Sequence, residues 1–263
     1  MTGADLPVVA SLAVVTFAVG VLLGFVGAGG AGVVVALLTS VYDLPVHQAI
    51  GTALATMFLV TISGSVSHFR EGNVAPRVGS VVGLAGAVGA VAGARYSQVV
   101  PEAQLQVMAG LGLWTLAALV WLRTRLAVAL LVAADLEWAG ESPRPGRDWA
   151  ASLGLGVSGG AAAAFLGVGM APFLQLGYLA VLRLPLRQAV GTTMMTLVFI
   201  SATGSVALAR AGDVSPAHFA GATIGLATGA WIGARFTRRT PTSILRGAVV
   251  VVPVLAGAAL LFA

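Results

Sequence analysis

The chain is a succession of apolar segments separated by short polar punctuation. In the first half the apolar segments cover roughly 6–26, 31–43, 47–68, 77–95 and 103–122; in the second they cover 149–166, 171–183, 187–209, 216–235 and 243–262. Most are near the roughly 20 residues that a helix needs to cross a bilayer. The second segment of each half is shorter, about 13 residues or about 20 Å at the helical rise, and falls short of a hydrocarbon core roughly 30 Å thick. The pattern predicts an all-α polytopic membrane protein in which each half carries one half-span, broken or recessed.

The two halves are copies. Leu44-Pro45-Val46-His47-Gln48-Ala49-Ile50-Gly51-Thr52 recurs as Leu184-Pro185-Leu186-Arg187-Gln188-Ala189-Val190-Gly191-Thr192, and the offset of 140 holds without gaps from Gly20/Gly160 to Arg95/Arg235. About 20 of the 52 positions from 44 to 95 are identical to their partners, more than shared apolar composition explains. The expected domains are a first transmembrane repeat at 1–122, a cytoplasmic linker at 123–148 ending in a polar, Pro-interrupted stretch at 141–148, and a second repeat at 149–263.

Composition agrees with a membrane chain: 58% hydrophobic, 9% charged, mean hydropathy +0.99. All 14 basic residues are Arg, and their distribution decides how the repeats are oriented. If the first two segments of each half formed one crossing, the repeats would be parallel and the Arg residues would divide seven to seven. If they form a hairpin, the repeats are inverted. One side then collects twelve Arg, and the other keeps only Arg95 and Arg210. Positive residues concentrate in cytoplasmic loops. The inverted arrangement is therefore expected, with both termini outside and the linker inside. The first residues, Met1 to Pro7, carry no basic residue and include Asp5, so the N-terminus reads as the retained start of the first span rather than a cleaved signal.

These facts also exclude chemistry. The Arg residues are scattered and never interleave with aromatics, so no nucleic-acid partner is expected. With no cysteine there are no disulfides, thiol relays or thiolate metal sites. No Asp, Glu or Arg falls clearly mid-span, which argues against an acidic proton or cation relay. His47, His68 and His218 stand at segment ends and are not repeat partners, as interfacial residues would be. No metal and no cofactor is expected.

Two constellations remain. The runs Gly27-Ala28-Gly29-Gly30-Ala31-Gly32 and Gly167-Val168-Gly169-Met170-Ala171-Pro172 occupy equivalent positions before the short segments. Each run can end one helix and start another inside the bilayer, leaving N–H groups that, with the helix dipole, attract an anion without a fixed positive charge. Close packing of small residues is the competing explanation. Gln48, Thr52 and Thr56, mirrored by Gln188, Thr192 and Thr196 with Thr193 beside them, lie four apart on one helical face. They could line an oxyanion path, or their hydroxyls could bond to the preceding turn. Gly156-Val157-Ser158-Gly159-Gly160 matches a serine nucleophile pattern, but Ser158 has Ala18 as its repeat partner and no evident His.

The paired Gly-rich bends and the two L-P-x-x-Q-A-x-G-T strings resemble the TauE/SafE sulfite exporter family over nearly the whole chain. Gly27, Gly29, Gly30, Gly167 and Gly169 match the family's glycine runs and Pro172 the proline after them; Ala31 and Gly32 stand where the first run would have its proline. The resemblance implies a bacterial inner-membrane exporter of sulfite, sulfoacetate or a related anion, working by alternating access. The candidate substrate-binding set is Gly27, Ala28, Gly29, Gly30, Gln48, Thr52, Thr56, Gly167, Val168, Gly169, Met170, Gln188, Thr192, Thr193 and Thr196. A passive anion channel is the first alternative and an intramembrane serine hydrolase the second. The expected partners are the small anion and lipid; the oligomeric state is left open, a homodimer among the options.

Overall fold

The computed structural model describes residues 5–26, 30–137, 148–236 and 242–262. Among these, all regular structure is helical. In the first half the helices are α1 (Asp5–Val26), α2 (Ala31–Ser40), α3 (Val46–Arg70), α4 (Pro76–Ser97) and α5 (Glu102–Glu137). In the second they are α6 (Asp148–Leu166), α7 (Ala171–Ala180), α8 (Leu186–Arg210), α9 (Pro216–Phe236) and α10 (Thr242–Phe262). The offset of 140 carries α2 onto α7 and α3 onto α8 residue for residue. Residues 123–137, in the expected linker, continue α5 as helix beyond its apolar span 102–122. Their charges interrupt the apolar pattern without ending the helix, because no Pro or Gly stands among them.

Local chemistry fixes the boundaries in pairs. Pro45 and Pro185 precede α3 and α8 with φ of −50° and −58°, values the proline ring imposes. Gly72 and Gly212 follow the same helices with φ of 71° and 88°. There Asn73 N–H and Asp213 N–H reach back to the carbonyls of His68 and Leu208, closing the last turn. The short helices end alike: Asp43 and Arg183 take φ of 51° and 52°, and the amides after them bond to Leu38 and Tyr178.

Packing then interleaves the halves. Gly51 on the second turn of α3 faces Asp213 and Leu208 at the end of α8, and Gly191 on α8 faces Asn73 and His68 at the end of α3, so α3 and α8 run antiparallel. Gly86, Gly89 and Gly93 of α4 lie on Gly156, Val157 and Ala161 of α6, while Gly221, Gly225 and Gly229 of α9 lie on Val9, Ala13 and Phe17 of α1. Each repeat's first helix thus packs along the other repeat's fourth, and small residues let the backbones approach.

The polarity is that of a protein dissolved in lipid. Val14, Leu84, Val88, Leu111, Trp121 and Leu255 are exposed, whereas Thr16, Thr52, Thr56, Gln175, Thr192 and Thr196 are buried. The described charged side chains Arg70, Arg77, Arg95, Glu102, Arg183 and Arg210 are exposed and stand at or just beyond helix ends. Among the described residues, five helices are long and apolar enough to cross a membrane: 46–70, 76–97, 102–122, 149–166 and 186–210. The protein is a multi-pass membrane protein.

Candidate functional site

The second Gly-rich bend is a break in the helical path. Residues 167–170 are non-helical between α6 and α7, and all four are buried. Gly167 has φ of 66°, and a Cβ there would stand 2.6 Å from Ile50 Cγ1 and 2.9 Å from Val35 Cγ2, so both backbone angle and space require glycine. Met170 caps α7 without a side-chain hydrogen bond, and Leu174 N–H already bonds to its carbonyl.

Of the first bend, Gly27, Ala28 and Gly29 lie outside the described residues. Gly30 is the N-cap of α2 and accepts from Val33 and Val34 N–H. The two bends adjoin, since a Cβ on Gly32 would be 3.3 Å from Val168 Cγ1. The same Cβ would meet Leu113, which lies eleven residues past the start of α5, roughly 16 Å into a core of about 30 Å. Tyr42, just past the end of α2, bonds to Ser11 near the start of α1, so α2 returns toward the face from which α1 sets out. The amino ends of α2 and α7 therefore come together level with the middle of the 102–122 span of α5.

The duplicated polar positions divide by depth. Gln48 and Gln188 are half-buried in the first turn of α3 and α8. Thr52 Oγ1 accepts from Ser215 N–H at 3.0 Å, and Thr192 Oγ1 accepts from Ala75 N–H at 3.0 Å. Each bond joins one repeat to the loop before the fourth helix of the other. A Cβ on Gly51 or Gly191 would overlap the carbonyl oxygen of Asp213 or Asn73 in that same loop. The Gly-Thr pair of the repeated motif is therefore a clasp: glycine admits the loop and threonine satisfies its free amide. Thr56, Thr193 and Thr196 donate to the carbonyls of Thr52, Ala189 and Thr192, each four residues back.

Two polar residues of α7 escaped the sequence reading. Tyr178 is fully buried and its hydroxyl bonds to Thr196 Oγ1. Gln175 is fully buried, and neither Nε2 nor Oε1 has a partner. A buried amide left without hydrogen bonds costs about 1–3 kcal/mol. Their repeat partners are Val35 and Leu38, so a comparison of the halves hides them. The available signal was the presence of Gln inside a ten-residue apolar helix.

These features, an all-helical duplicated membrane bundle with a glycine break at its centre, accompany a match between residues 12–260 and the family model described as sulfite exporter TauE/SafE. The chain belongs to the TauE/SafE family. Over 248 residues it is 35% identical to a Bacillus subtilis (strain 168) protein named probable membrane transporter protein YdhB, which covers 94% of this chain and 98% of that protein. No solved structure matches it. Membership in TauE/SafE places the chain among membrane transporters. The serine pattern has another explanation: exposed Ser158 donates to Gly154 O at 2.6 Å, and Gly156 and Gly160 carry the packing of α6 on α4.

Proposed function

We propose that the protein exports small sulfur-containing anions, sulfite, sulfoacetate or a similar species, across a bacterial inner membrane by alternating access. The observation that carries this reading is the junction of the bend at 167–170 with the amino end of α2, deep between the repeats. The first N–H groups of a helix have no partner within it, and its amino end carries roughly half a positive charge. Two such ends facing one space attract an anion without a buried cation, as half-helix ends do in other carriers. The antiparallel course of α3 and α8 supports opposite insertion of the repeats, and so does the Arg asymmetry.

With a negative cell interior, export of each negative charge gains about 2.3 kcal/mol per 100 mV. Outward movement then needs no coupled ion. The test is sulfite flux into liposomes carrying the purified protein, with and without an imposed voltage. Saturation and counterflow of labelled sulfite are expected; flux that rises linearly without counterflow identifies a channel instead. Gly169→Val should abolish flux while the protein still inserts and elutes as a folded species. Undiminished flux in that variant would remove the bend from the mechanism.

A further inference from the structure

The helix ends explain attraction for an anion but not which anion, and Gln175 bears on that choice. It is fully buried with an unpartnered amide. Gln175 follows Ala171, the first residue of α7, by four positions, so it lies over that residue on the same face. Helical side chains lean toward the amino end, which carries the Gln175 amide toward the bend. The corresponding face of α2 is the one that carries Val35, and Val35 packs against Gly167 of the opposite bend. Gln175 thus belongs to the face of the short helices that meets the other repeat. Sixty degrees around α7, Tyr178 is already engaged by Thr196.

We infer that the occupant of this space is a singly charged oxyanion that still bears a proton, such as hydrogensulfite, and that Gln175 selects it. This rests on the anion-transport reading above. Charge supplies the first reason: two helix amino ends offer roughly +0.5 each, together about one unit, and the described cationic side chains Arg70, Arg77, Arg95, Arg183, Arg187 and Arg210 are exposed near the helix ends rather than at the bend. A dianion would retain an uncompensated charge in a medium of low dielectric. The second reason is the amide itself. Nε2–H donates to an anionic oxygen, but Oε1 can only accept, and a fully deprotonated oxyanion has nothing to give it. A protonated monoanion satisfies both atoms at once.

The test compares sulfite with methanesulfonate, which stays singly charged and has no proton to donate, in liposomes over a pH series spanning the second ionisation of sulfite. In the unmodified protein the ratio of sulfite to methanesulfonate flux should fall about tenfold per pH unit above that ionisation. Gln175→Leu should bring the ratio near one below that ionisation while the fall above it persists, because the charge limit does not depend on this side chain, and Gln175→Asn should keep part of the preference. Methanesulfonate flux through the Leu variant reports that it is folded. A ratio that rises or stays flat with pH in the unmodified protein overturns the inference, as does a Leu variant with unchanged preference; both leave anion transport standing. Absence of flux for either anion at any pH overturns the transport reading and this inference together.

Discussion

The clasp at Gly51-Thr52 and Gly191-Thr192 and the pair of short helices α2 and α7 are both duplicated, yet they have diverged differently. In the clasp the two copies keep the same Gly-Thr pair, backbone partners at equivalent positions and the same 3.0 Å bonds. In the short helices the backbone is matched, but Val35 faces Gln175 across the repeat relation and Leu38 faces Tyr178. A contact between repeats that relates each to the other must be good twice, so both copies are held to one solution. A central space shared by both repeats needs its polar group only once. On the anion-transport reading proposed above, symmetry marks what assembles the bundle, and the departure at Gln175 marks what the bundle would hold.

The largest effect expected to break this comparison comes from Gly191→Val or Gly51→Val. Each drives a side chain into loop backbone that cannot retreat, and a loss of about 3 kcal/mol is expected, read as a lower melting temperature in detergent. Equal losses in the two variants support the matched clasp. Gly167→Ala follows, at about 2 kcal/mol from the left-handed backbone and the contact with Ile50, measured in the same way and accompanied by reduced sulfite flux. Thr52→Val and Thr192→Val each strand one loop amide and should cost about 1–2 kcal/mol. A large inequality between them would end the claim that the copies do the same work. Tyr178→Phe, on the diverged side, should cost about 1 kcal/mol, because Thr196 keeps its bond to Thr192 O. Leu38→Phe has no hydrogen bond to lose and provides the contrast. Ser158→Ala is expected to change neither flux nor melting, since its hydroxyl only bonds back to its own helix.

Much of the bundle was readable because duplication doubles each local signal. Pro45 with Pro185, Gly72 with Gly212 and the two shortened segments marked boundaries that neither half alone would have defined as sharply. Less was legible where information was either single or distant. Arg123 and Arg125 interrupt the apolar pattern, so the sequence did not show that α5 stays helical through 123–137. Thr52 and Thr192 were read as candidate ligand donors from their spacing along one helix; their partners, Ser215 and Ala75, are 163 and 117 residues away and could not be found by periodicity. Gln175 is hidden in the sequence because its repeat partner, Val35, is apolar.

The exchange of first helices between the repeats has a consequence for biosynthesis. α1 ends at Val26, and the α9 surface on which it packs begins at Pro216, roughly 190 residues later in the chain. At translation rates of about 5–20 residues per second, the newborn α1 waits on the order of 10–40 s in the membrane before its mate leaves the ribosome. During that interval the face that α9 will cover meets only lipid or the insertion machinery, so maturation of the whole molecule is timed by the arrival of its penultimate helix.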